Sequence, residues 1–212
     1  MRLSRRNKQP VLAEVPAARS DSTRPGALGR EQLQAYADLA SKLGKTGSVF
    51  TTGPLKGEVA LGLAAAATAE GRRVALLECD LAAPALADKL GLAVSPGLHE
   101  YLREEAEASE ILQPLVLAGP ASGRATEPLA CVVAGEPAPE PVALLDSERC
   151  DHAIERLRRA YDLLVIDGPP LSEDADSLRA LTEHTAVTLA CGGHGQLPKQ
   201  MPVSVTGLVL FG

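Results

Sequence analysis

The sequence predicts a single α/β domain, a doubly wound and mainly parallel sheet flanked by helices. Three observations lead there. Short, nearly continuous apolar runs alternate along the chain with stretches that carry a helical apolar stripe. Residues 48–80 read as strand, turn, helix and strand, a unit that requires a parallel pair joined by a right-handed crossover. Hydrophobic residues make up 45% of the 212 residues while aromatics make up 2%, with no Trp, so the core is aliphatic. An aliphatic core of Leu, Val and Ala suits strands buried on both faces by helices.

The elements follow in order. Residues 1–29 hold Pro10, Pro16, Pro25 and Gly26 among Ser, Thr and Arg, which predicts an extended or flexible arm ahead of a domain at 30–212. Within the arm, PVLAEVP at 10–16 is apolar enough to lie along the body. Residues 31–43 place Leu33, Tyr36, Leu39 and Leu43 on one helical face, with Gly44 as the stop. A strand at 48–52 leads into the turn 53–58 and an Ala-rich helix that Gly71 ends. The run 73–80 is a strand with acids at its C-terminal end. Short helices are expected near 84–90 and 97–105, strands near 114–118 and 129–134, and one long helix near 140–160. YDLLVID at 161–167 is the clearest buried strand, stopped by Gly168-Pro-Pro170. A helix near 174–182 and strands near 185–190 and 203–211 complete the chain. The connection from Cys191 to Val203 is short and contains two prolines, so the usual crossover helix is expected to be missing there.

Composition narrows the function. A net charge of −6 offers no electrostatic footprint for nucleic acid. Cys79, Cys131, Cys150 and Cys191 are scattered and form no C-x-x-C pair, the usage of reduced thiols in the cytosol. The basic start MRLSRRNKQP is followed by no apolar region, so no secretory signal is expected, and no run is long enough to span a bilayer. Arg2, Arg5, Arg6 and Lys8 read as a solvated tail, too few charges for firm binding to anionic lipid.

In doubly wound sheets, ligands sit beyond the carboxyl ends of the strands. Three such ends carry candidate chemistry: the turn with Gly53, Lys56, Gly57 and Glu58, the acids Glu78 and Asp80, and Asp167. Amides and Lys56 at a helix start are the means of holding phosphate, and the three carboxylates are candidate Mg²⁺ ligands or catalytic acids. The plainer alternative is that Asp80 and Asp167 only end strands and cap the helices that follow. Gly44-Lys-Thr46 spells the end of a phosphate loop but precedes its strand, and reads as a helix terminus. Cys191-Gly-Gly-His194 reads as a flexible loop, and Cys150, Asp151 and His152 face different directions on a helix, so neither is a metal set.

Taken in order, PVLAEVP, QAYADLASKL, SVFTTG, KGEVALGLAAAATAEGRRVALLECDLAAP, PGLHEYL, EPVALLDSERCDHAIERLRRAYDLLVIDGPP and VTGLVLFG resemble the cytoplasmic ATPase domain of bacterial tyrosine kinases. These kinases regulate chain length and export of capsular and exopolysaccharide, and belong to the MinD/ParA group of P-loop proteins. YDLLVIDGPP resembles the family's Walker B strand and LLECDLAAP its second acidic motif. The resemblance implies ATP or ADP with Mg²⁺ as cofactor. It also implies a polysaccharide co-polymerase or other inner-membrane export component as partner, and a cytoplasmic place near the inner face of the cell membrane.

The departures are as informative as the match. A working loop reads G-x-x-x-x-G-K-[ST]. Anchored on the helix, Lys56 takes the lysine position, but Leu55 replaces glycine and Gly57 replaces the hydroxyl residue. Anchored on the strand, the turn is about three residues short of the eight-residue pattern. The family's D-x-D-x-R becomes Glu78-Cys79-Asp80-Leu81-Ala82, and Gly168 stands where Thr is common. The ring-assembly motif E-x-x-R-x-x-R becomes Gln34, Ala37 and Ala40, and with Tyr36, Tyr101 and Tyr161 as its tyrosines the sequence is expected to lack the family's tyrosine-rich tail. The expectation is a degenerate, non-catalytic member that regulates or scaffolds. The alternative is an active tyrosine kinase or ATPase with an unorthodox loop. A more remote reading is a doubly wound small-molecule binder sharing only the architecture.

Overall fold

Side chains along the strands alternate between two apolar layers, and that alternation decides where each helix packs. A computed structural model describes residues 9–16, 28–117, 128–171 and 175–212. The strands are β1 (Val11–Val15), β2 (Ser48–Thr52), β3 (Val74–Glu78), β4 (Gln113–Leu115), β5 (Leu129–Val132), β6 (Leu163–Asp167), β7 (Val187–Gly193) and β8 (Gly207–Phe211). The helices are α1 (Arg30–Leu43), α2 (Lys56–Ala69), α3 (Leu86–Leu90), α4 (Leu98–Leu102), α5 (Pro141–Leu145), α6 (Glu148–Ala160) and α7 (Ala175–Thr182). All eight strands form one sheet in the order β1-β8-β7-β2-β6-β3-β5-β4. Every pairing is parallel except that of β4 with β5. The predicted doubly wound, mainly parallel sheet is therefore present.

On one face, Val49, Leu76, Val165, Leu189 and Val209 pack under α1 and α2. On the other, Phe50, Leu77, Ile166 and Leu164 meet Leu98 of α4, Ile154 of α6, and Leu178 and Leu181 of α7. Neighbours in sequence thus face opposite layers, as the near-continuous apolar runs require. Strand β6 lies between β2 and β3, which brings the C-terminal ends of three sequence-distant strands together.

Helix α1 buries Gln32, Tyr36, Leu39 and Ala40 and ends on Gly44, whose φ of 65° is the left-handed turn that glycine takes without strain. The arm segment at 10–16 is held to it: Gln32 Nε2 donates to Pro16 O at 3.1 Å and Lys42 Nζ to Leu12 O at 2.7 Å. As β1, this segment pairs in parallel with β8 and completes one edge of the sheet. The rest of the arm, with the cluster from Arg2 to Lys8, lies outside the described residues.

Three sequence expectations shift. The single helix expected near 140–160 is two, because Ser147 adopts an extended backbone and its hydroxyl accepts from Cys150 N, capping α6 afresh. Cys191 to Gly193 belongs to β7 rather than to a flexible loop, since it pairs with residues 209–211. The final strand starts at Gly207 rather than near 203. Residues 194–206 carry no helix, as their length and prolines predicted. All four cysteines are buried and unpaired, and burial pushes the Cys131 and Cys150 thiols up to about 12.

Helix α2 is buried on nearly every side, and its small residues set how closely α1 approaches. A Cβ on Gly62 would strike the Tyr36 ring, whose hydroxyl donates to Glu58 O at 3.1 Å. Gly62→Ala gains about 1 kcal/mol of helix propensity but overpacks this contact, a penalty of about 1–3 kcal/mol. A net loss of stability in urea unfolding is expected, and a gain would show that α1 can move away without cost.

Candidate functional site

The turn that enters α2 is three residues long. After β2, Gly53 adopts φ 105°, and a Cβ there would strike the Cys191 carbonyl oxygen on β7. Pro54 and Leu55 follow, Leu55 with an ordinary φ of −117°, and Lys56 opens the helix. The Leu55 amide donates to Cys191 O and the Lys56 amide to Gly53 O, both at 3.2 Å. These are the amides that a phosphate-wrapping nest would aim outward, and here their partners are protein carbonyls. Cys191 contributes through its backbone, a role visible only once β7 is placed beside β2.

Lys56 extends over the ends of β3 and β6. Its Nζ lies 3.0 Å from Asp167 Oδ1 and 3.1 Å from Asp80 Oδ2, with side-chain exposures of 15%, 5% and 7% respectively. Three of the predicted site residues therefore meet in one buried ion triad. Burial disfavours the charge on Lys56, but Asp167 and Asp80 more than offset this and hold its pKa above the ordinary lysine value. Burial raises Asp167 to about 6; Lys56 works against that shift, and the nearby carboxylates of Glu78 and Asp80 add to it.

Glu78 lies beside Asp167 in register, yet its carboxylate turns to the backbone. Oε1 accepts from Ala85 N at 2.7 Å and Leu86 N at 2.8 Å, and Oε2 from Ala134 N at 2.9 Å. It thereby ties the start of α3 to the end of β5. Asp80 Oδ1 accepts from Ala83 N at 3.2 Å, a local turn. Among the described residues no group of three or more His, Cys, Asp or Glu side chains is placed to hold a metal ion.

Glu58 points outward and pairs with Lys89 of α3 at 3.1 Å, both side chains nearly half exposed. Lys89 has no motif to mark it in the sequence. A Cβ on Gly57 would lie 3.2 Å from Asp167 Oδ2 and 3.4 Å from Lys89 Nζ, so Gly57 gives the triad room. Gly168 has a steric cause of its own: a Cβ there would strike the Phe50 ring below.

The remaining motifs find structural places. The PGLHEYL segment docks α4 on β5, with Leu98 N donating to Val133 O and His99 N to Ala134 O, each at 2.8 Å. Gly44 to Thr46 is the end of α1, where Thr46 Oγ1 donates to Leu43 O. On α6, Cys150 is buried, His152 is exposed and Asp151 pairs with His184 at 2.8 Å. On α1, Gln34 bonds Asp38 while Ala40 packs into the core.

Lys56→Ala leaves two buried carboxylates without their cation, a loss of about 3–5 kcal/mol; denaturant unfolding measures it, and a loss below 1 kcal/mol would mean the triad is not structural. The raised Asp167 pKa has a defined sign. Between about pH 4 and 6 the folded state holds a proton that the unfolded chain has released, so this group's contribution to stability falls as pH rises. Asp167→Asn is expected to remove that slope from the stability–pH profile, and an unchanged slope would assign it to another group.

No protein-family profile matches the sequence, and no curated protein matches it. Solved structures do. The kinase domain of the Escherichia coli tyrosine kinase ETK superposes with a TM-score of 0.80 at 19% identity, covering 95% of this chain and 89% of that one. The BceF tyrosine kinase domain gives 0.76 at 20% identity, covering 96% and 93%. The septum site-determining protein MinD complexed with Mg-ADP, from Pyrococcus horikoshii OT3, gives 0.53 at 20% identity, covering 69% and 57%. The chain has the fold of bacterial tyrosine-kinase domains and of MinD, a P-loop α/β architecture.

Proposed function

We propose that this chain is a kinase-like P-loop domain with a degenerate nucleotide site, which acts in capsular or exopolysaccharide synthesis and export by binding rather than by phosphoryl transfer. The observation that carries the reading is the three-residue turn between β2 and α2. Lys56 is the fourth residue from Gly53, whereas the phosphate-loop lysine is the seventh from the first glycine. Too little backbone remains to surround a triphosphate, and the amides of Leu55 and Lys56 donate to Cys191 and Gly53. No hydroxyl stands at Gly57 for Mg²⁺. Around the crevice stand four carboxylates, Glu58, Glu78, Asp80 and Asp167, against two ammonium groups, Lys56 and Lys89, a balance that opposes a polyanion. The residues present do not fit a magnesium nucleotide.

The link to polysaccharide work rests on the ordered sequence resemblance and on the fold shared with tyrosine-kinase domains. On that basis the partner is a polysaccharide co-polymerase or another export component at the inner face of the membrane. No helix among the described residues is long and apolar enough to cross a membrane. The proposed division is an arm at 1–29 and a domain at 30–212, with residues 11–15 of the arm added to the domain's sheet as its edge strand β1. One observation favours the competing reading of an active kinase or ATPase: Lys56, Asp80 and Asp167 are retained and converge.

Calorimetric titration with ATP and ADP, with and without Mg²⁺, separates the two. No heat of binding at millimolar nucleotide is expected. Micromolar affinity that Lys56→Ala abolishes would establish the active reading.

A further inference from the structure

We infer that the Lys56 ammonium is the resident cation of a two-carboxylate site and takes the place that a divalent metal ion would occupy there. The inference rests on the degenerate reading of the nucleotide site and goes further, because it says what occupies the centre of that site.

Asp80 Oδ2 and Asp167 Oδ1 come from the ends of different strands and converge on one point, the Nζ atom, at 3.1 and 3.0 Å. Two convergent carboxylates are a common protein contribution to a Mg²⁺ site, which water or phosphate oxygens complete. Here the remaining space is closed to those oxygens. The triad side chains are at least 85% buried, Glu78 is committed to three backbone amides, and Gly57 leaves no hydroxyl.

The short turn is what puts the ammonium there. Lys56 is the first residue of α2, and the Leu55 amide's hydrogen bond to Cys191 O on β7, with the close approach of Gly53 to the same carbonyl, holds the helix start down on the sheet. The lysine stem then reaches the strand ends instead of extending past them toward solvent. A metal ion cannot enter while the ammonium is present, because the two would share a volume and repel.

Thermal unfolding of the whole chain in millimolar Ca²⁺ and in EDTA tests this. Ca²⁺ is the probe because its coordination at about 2.3–2.6 Å tolerates irregular geometry. The wild-type midpoint is expected to be the same in both. In Lys56→Gln the two carboxylates lose their cation, and Ca²⁺ at about 100-fold over its dissociation constant is expected to raise the midpoint by about 5–10 °C. EDTA reverses the rise, and the further change Asp167→Asn abolishes it. Lys56→Ala provides a second variant: folding that requires Ca²⁺ supports the inference as strongly. Stabilisation of the wild type by Ca²⁺ or Mg²⁺ would overturn it. So would the absence of any Ca²⁺ response in both Lys56 variants, or an equal response in the double variant. Metal-free ADP is the separate arm: if it stabilises the wild type at micromolar concentration, the degenerate reading fails while the resident cation stands.

Discussion

A single ammonium group holds the C-terminal edge of the central sheet together. Asp80 follows β3 and Asp167 ends β6, adjacent strands that deliver two buried carboxylates to one place. Without a cation between them, their repulsion in a poorly solvated site would act directly on two adjacent inner strands of the sheet. Lys56 supplies that cation from the first turn of α2, so one side chain couples the helix to both strands. The position of α2 then governs much else, since Gly62 receives the Tyr36 ring of α1 and Tyr36 reaches back to Glu58.

The rest of the crevice is arranged around the same economy of charge. Glu78 satisfies three backbone amides and fixes the start of α3 against the end of β5. From α3, Lys89 returns to pair with Glu58 at the mouth. In a phosphate-binding loop the corresponding donors face outward and the ligand completes the network. Here the donors and acceptors largely complete one another. On the proposed reading this is why the fold persists after its nucleotide chemistry has gone: internal partners replace the ligand's stabilising contacts.

The two layers of the fold and most of its elements were legible in the sequence. Strand runs such as 161–167 and the helical stripe of 31–43 are local patterns, and local patterns survive translation into structure. Boundaries set by a single side chain were harder to read. Ser147 divides a helix-rich stretch in two by capping α6, directly after Asp146 closes α5. The place of Cys191 also escaped the pattern, because two following glycines resemble a loop until β8 pairs with them.

The sequence by itself determined the architecture, the shortness of the turn at 53–55 and the retention of Lys56, Asp80 and Asp167, since all of these are matters of residue type and spacing. Tertiary structure alone decided what those residues do. The Lys56–Asp167 contact spans 111 positions and exists because β6 inserts between β2 and β3. Glu78 looked like a metal ligand from its position at a strand end, but the amides that claim it come from α3 and from the residues after β5. Strand order is a global property, and partners drawn from different strands cannot be assigned until that order is known.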